Sequence, residues 1–125
     1  MDTLEAARRW AREWERAWRE HDAERVAALY ATDASFTTSP FRDPDDPGRY
    51  AAWAFSTEEP EPEVTFAEPA FVDGDRAAVE WRATSRERAG GGETTIAGIS
   101  LLRFGDDGLV VEEHGYWNVT PEAEP

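Results

Sequence analysis

Leu4, Ala7, Ala11, Trp14 and Trp18 recur at the three- and four-residue spacing of one helical face, while Arg8, Arg9, Arg12, Glu13, Glu15, Arg16 and Arg19 fill the other side. The pattern predicts a first helix over residues 2 to 20, with Asp2 and Glu5 spaced as a capping box and Trp10 at the edge of the apolar stripe. Asp22 then caps a shorter second helix reaching to about residue 30, with Val26, Leu29 and Tyr30 available for burial. A short β-like stretch around Phe36 runs into Pro40, Pro44, Pro47 and Gly48, which mark a loop. Pro47 suits the first turn of a third helix over about residues 48 to 55, carrying Tyr50 and Trp53.

From Val64 onward the apolar period changes to two. Residues 64 to 72 read as one strand, with Pro69 at an edge or bulge position. Asp73-Gly74, Gly90-Gly91-Gly92 and Asp107-Gly108 then punctuate three further strands, over residues 76 to 88, 93 to 104 and 109 to 118. The chain thus predicts a single α+β domain over residues 1 to 118, with residues 119 to 125 as an acidic, frayed tail. A length of 125 residues leaves no room for a second core.

The charge narrows the partners. Lys plus Arg number 13 against 27 Asp plus Glu, so the formal charge is 13 − 27 = −14. Such a surface repels phosphate backbones and anionic lipid headgroups, which argues against nucleic-acid and membrane roles. The absence of cysteine excludes disulfides, thiolate nucleophiles and cysteine metal sites. No apolar run approaches the ~20 residues of a membrane span, and MDTLEAARRW has no signal-peptide core, so the expected location is cytoplasmic.

Three helices followed by a long meander, with an ALYATDASF turn, an SPFRDP loop and a closing EEHGYWN strand, resemble the SnoaL-like branch of the nuclear transport factor two-like superfamily. The resemblance spans residues 10 to 118. It implies a cone: a curved antiparallel sheet of four long strands plus a short one, packed on three helices and open at one end to a small molecule. It also implies the strand parity. Val79, Trp81 and Ala83 would face inward, then Gly98, Ser100, Leu102 and Phe104, and finally Glu113, Gly115 and Trp117. Ile99, Leu101, Val110 and Tyr116 would face outward, too apolar a set for water, which points to a homodimer through the convex sheet face.

The fold hosts many chemistries, so function must be read from the site. The positions that match the catalytic phenol, base and acid of the similar ketosteroid isomerases are Trp14, Ser39 and Ser100, so that mechanism is rejected. Those that match the limonene epoxide hydrolase triad are Trp81, Ala83 and Gly115, which removes that one too. His21 and His114 have no ligand-type spacing, so no metal is expected, and nothing calls for a cofactor. His21 reads as a solvated linker residue, and His114 as a side chain turned away from the cavity.

Glu113 is the one carboxylate that this parity aims inward from mid-strand. An apolar cavity would raise its pKa and make it a candidate acid or base, with Ser100 beside it. The alternative is a rim carboxylate paired with an arginine such as Arg42. Trp14, Trp18, Trp53, Trp81 and Trp117 come from separate elements and together suit a cavity wall, to which Tyr30, Phe36, Phe41, Arg42 and Leu102 are added. Three readings follow: a binding protein for a small, largely apolar molecule; a cofactor-independent acid–base enzyme on a polyketide- or terpenoid-like substrate; and a dimerisation module with a vestigial pocket.

Overall fold

The computed structural model describes residues 1–120. Helix α1 covers Thr3–Glu20, and the Asp2 side chain accepts a hydrogen bond from the Glu5 N–H at its start. Its buried face is Ala6, Ala7, Trp10, Ala11, Trp14 and Ala17, while Leu4 is exposed. The stripe is therefore rotated from the predicted one, and Trp10 sits at its centre. Four alanines let the helix axis approach the sheet, and the indoles reach past them into the core. The helix ends at His21, which adopts the left-handed conformation at φ 55°.

Helix α2 is Ala23–Ala27, capped by Asp22, and is shorter than its sequence pattern predicts. Leu29 closes the turn after it and Tyr30 opens a strand, β1 (Tyr30–Thr37). This strand pairs in parallel with the last one, so the sheet is mixed. Helix α3 covers Pro47–Ser56, with Asp46 as its N-cap and Pro47 in its first turn.

The meander follows. The strand expected over residues 64 to 72 is two pieces, β2 (Glu63–Phe66) and β3 (Phe71–Asp73), both paired with β4 (Arg76–Arg86) and separated around Pro69. Proline cannot donate to the ladder, so the strand breaks there. β5 (Glu93–Phe104) and β6 (Val110–Val119) complete a curved, unclosed sheet in the order β1-β6-β5-β4-β2, with β3 beside β4. β2 is an edge strand, and α1 shields it: Glu15 accepts from the Phe66 N–H at 2.9 Å, and Arg19 donates to the Val64 carbonyl at 3.1 Å.

The inward parity holds, since Val79, Ala83, Ser100, Leu102, Phe104, Glu113 and Gly115 are buried and Trp81 and Trp117 half-buried. Val110 departs from it. An irregularity pairs Arg103 with Glu112 but Phe104 with Val110, so β6 changes face and Val110 joins the core. β6 also runs past residue 118: Thr120 N–H donates to the Thr95 carbonyl at 2.8 Å, so the start of the expected tail is tied to β5, and residues 121–125 lie outside the described residues. Among the described residues no helix is long and apolar enough to cross a membrane.

Candidate functional site

Glu113 sits mid-strand on β6 and is 5% exposed, with hydroxyl groups on both of its oxygens. Tyr30 donates to Oε1 at 2.5 Å, and Ser100 on the neighbouring strand donates to Oε2 at 2.9 Å. Each hydroxyl is itself held by indoles. Trp10 and Trp14 donate to the Tyr30 oxygen at 3.1 and 2.9 Å, and Trp81 donates to the Ser100 oxygen at 3.1 Å. An indole N–H can only donate, so these contacts turn both hydroxyl hydrogens toward the carboxyl group.

Two effects oppose each other at Glu113. Burial disfavours its charge, while the Tyr30 and Ser100 hydrogen bonds, and His114 through space, favour it. Burial wins, and the pKa rises from its ordinary 4.5 to about 7. The same burial, with the neighbouring carboxylate and the hydrogen bond to it, pushes the Tyr30 phenol well above its ordinary range, although the two indole donors pull the other way. Tyr30 therefore stays protonated and remains a donor.

This carboxyl lies at the closed end of a cavity of about 250 Å³. Trp10, Trp14, Trp18, Phe66 and Trp81 wall one side, in an edge-to-face and stacked array with ring centroids 5.5–6.4 Å apart. Phe36, from β1, and Tyr50, Trp53 and Phe55, from α3, complete the wall, with Phe55 edge-to-face on Trp14 at 6.3 Å. The cavity runs along β5 from Ser100 to Thr94, about 20 Å at ~3.3 Å per residue. Its far end is polar, with Thr57, Glu58, Ser85 and Glu87; Thr57 and Glu87 are exposed there, which marks the opening.

Two further buried polar groups belong to the wall. Glu58 Oε1 accepts from Trp18 at 2.8 Å and meets His21 Nε2 at 2.9 Å, and the His21 ring stacks on Phe55 with an interplanar angle of 4°. His21 is thus an anchored, largely buried side chain, not a solvated linker residue. Thr38 is buried, and its hydroxyl has no partner among the described residues. Its carbonyl accepts from Trp117 Nε1 at 2.6 Å, which pins the end of β1 over β6. A side chain at Gly115 would place its Cβ 2.5 Å from that carbonyl, so the close approach requires glycine.

Of the residues expected at the site, Trp14, Trp18, Phe36, Trp53, Trp81, Ser100, Glu113 and Trp117 line the cavity. Tyr30 and Leu102 are buried behind its surface, Tyr30 through its bond to Glu113 and Leu102 opposite Glu113 in the ladder. Phe41 and Arg42 do not belong to it. The Trp117–Thr38 bond and an Asp45 N–H bond to the Phe36 carbonyl hold the loop's base to the sheet, and its tip projects outward with Phe41 fully exposed. Among the described residues Glu113 accordingly has no arginine partner, and it is buried, not a rim carboxylate. His114 points away from the cavity and bonds Glu112 at 3.1 Å, while Glu112, also bonded by Arg103, is held below its ordinary pKa. Trp10, Phe66, Tyr50, Thr38 and Glu58 also line the cavity and were not anticipated. Phe66 was readable from the Val64/Phe66 alternation, whereas Thr38 and Glu58 carry no local signal.

The sequence profile of the SnoaL-like domain matches residues 11–113 of this chain. The chain belongs to the SnoaL-like family. No curated protein matches it. Solved structures agree on the fold of this SnoaL-like domain. A Bacillus subtilis protein provisionally called an isomerase is similar at 19% identity and TM-score 0.77, covering 94% of this chain and 90% of that one. A Catenulispora acidiphila protein with a ketosteroid isomerase-like fold, crystallised in complex with trimethylamine, has 15% identity and TM-score 0.73 over 86% of this chain and 83% of that one. A nuclear transport factor two-like protein of unknown function from Exiguobacterium is 13% identical, with TM-score 0.70 over 90% and 98% of the two chains.

The raised pKa of Glu113 makes stability depend on pH. The folded chain holds this proton more tightly than the unfolded one, so its contribution to stability falls as pH rises from about 4.5 to about 7 and is level above that. The difference is about 3 kcal/mol. Urea denaturation from pH 4 to 8 should show that slope in the native chain and not in Glu113→Gln; parallel curves for the two would contradict the raised pKa.

Proposed function

We propose that this SnoaL-like domain binds a small, largely apolar organic molecule in the aromatic cavity, with Glu113 as its polar anchor. The observation that carries the reading is the placement of Glu113: a hydrogen-bonded carboxyl at the closed end of a cavity walled by indoles. Aromatic walls supply burial energy and shape, and one polar group fixes orientation, which is the usual composition of a small-molecule site. The trimethylamine held by the Catenulispora protein is in keeping with a fold that accepts small molecules.

A second reading, a cofactor-independent acid–base enzyme, is favoured by one specific observation. A carboxyl with a pKa of about 7 exists in both protonation states at neutral pH and can take or give a proton to a bound substrate. The isomerase and epoxide hydrolase positions are still vacant of acids; Tyr30 and Glu113 come from elsewhere, the start of β1 and the middle of β6. Isomerisation, dehydration or cyclisation of an apolar substrate would be within reach of one such group.

We also propose that the domain is a homodimer. Leu101 and Tyr116 are exposed on the sheet's outer face beside the half-buried Ile99, and Phe41 and Pro40 extend the same apolar surface.

Indole fluorescence reports the ligand. Across a panel of terpenoid- and polyketide-like compounds, Trp81→Ala or Trp117→Ala should weaken binding of any hit by about tenfold or more. Unchanged affinity would place the ligand elsewhere. Glu113→Gln separates the two readings: turnover lost with affinity kept supports the enzyme, whereas weakened affinity with no turnover in the native chain supports the binder. Light scattering should give about 28 kDa, twice the 14.0 kDa of the chain, and 14.0 kDa at tens of micromolar would overturn the dimer.

A further inference from the structure

Every carboxylate that the cavity wall presents is without a lining counter-charge. Glu113 stands at the closed end and Glu58 and Glu87 toward the opening, while among the described residues no arginine or histidine is in the lining. Bases act on the lining only from outside it: His21 touches Glu58, Arg42 acts through space on Tyr50, and His114 acts on Glu113 from the other face of the sheet. The chain has no lysine at all, and its net charge is −14. Between the acids stand the indoles of Trp14, Trp18, Trp81 and Trp117 with Phe36 and Tyr50, and among them the buried Thr38 hydroxyl without a protein partner.

Three classes of ligand meet this wall differently. An anion would meet the Glu113 carboxyl at the buried end, where little water screens it, after passing Glu87 and Glu58 at the opening. A neutral hydrocarbon would gain from burial but offer Glu113 no counter-charge. A cation with an apolar periphery gains from burial, from the negative faces of the rings, and from a carboxylate that has no other counter-charge. Thr38 adds an oxygen that can accept from an N–H or lie against the polarised C–H groups of an ammonium.

Resting on the binding reading above, we propose that the ligand is a hydrophobic organic cation, a tertiary or quaternary alkylammonium, enclosed by the aromatic wall with Glu113 as its counter-charge. The pKa of about 7 fits this role, because desolvation outweighs the two hydroxyl donors in raising it, and a cation beside the carboxylate would favour the charged form. The negative surface as a whole draws such a ligand toward the opening, where Glu58 and Glu87 stand.

Choline and 3,3-dimethylbutan-1-ol have the same shape, one with a quaternary nitrogen and the other with a carbon in its place, and they isolate the charge. Titration calorimetry at pH 8, where Glu113 is ionised, should show choline binding about tenfold or more tighter than the alcohol. In Glu113→Gln the preference for choline over the alcohol should collapse. An alcohol that binds as well as or better than choline to the native chain would overturn the cation while leaving the cavity as a binding site. A preference that survives in the Gln variant would overturn Glu113 as the counter-charge. If neither binds, and the terpenoid and polyketide panel also fails, the binding reading falls together with this one; if only the panel yields hits, the cation alone falls.

Discussion

A carboxyl group taken out of water is the constraint around which this domain is arranged. Left unpaired, a buried carboxylate would cost several kcal/mol, and the fold answers with two hydroxyl donors and not with a cation. Those hydroxyls need partners for their own lone pairs, and three indoles provide them. One acidic side chain on β6 thereby fixes side chains on α1, β1, β4 and β5. Polar networks in apolar surroundings stabilise a fold only when every member is satisfied, and here the chain of donors ends on the carboxyl oxygens.

The same contacts explain the helix–sheet geometry. Trp10 and Trp14 lie one helical turn apart on α1 and converge on a single phenol, so their bonds orient the helix over the sheet while the buried alanines of the same face set its closeness. Tyr30 reaches that point because β1 runs parallel to β6, with Tyr30 opposite Val110 and Phe36 opposite Glu113. Satisfied on the protein side and unpaired toward the cavity, Glu113 is a structural element and a chemical group at once. That dual role is why its protonation bears on stability as well as on any ligand.

Most of the sheet was legible in the sequence because each strand is bounded by turn residues and alternates with period two. Asp73-Gly74, the glycine triplet and Asp107-Gly108 all fall where hairpins form, and the parity implied by the family resemblance places Ser100 and Glu113 on the inner face. What was not legible depends on pairing between distant residues. Tyr30 reads as the end of a helix because its strand partner lies 80 residues on, and the bulge near Phe104 that turns Val110 inward leaves no local mark. Trp10 looked peripheral for a related reason: its burial is decided by the phenol it bonds and by Phe66, not by the helical stripe. Phe41 and Arg42 have residue types that suit a ligand site, but the loop's anchoring by Thr38 carries them away from it.

The state of Glu113 in the free domain tests this account most directly. Carbon-detected NMR of the side-chain carboxyl, titrated from pH 3 to 9 and assigned by its loss in Glu113→Gln, should give a midpoint near the value of about 7 that burial imposes. A midpoint at the unperturbed ~4.3 would mean that the carboxyl is solvated or fully compensated, and would contradict both the closed cavity floor and the unpaired charge placed there.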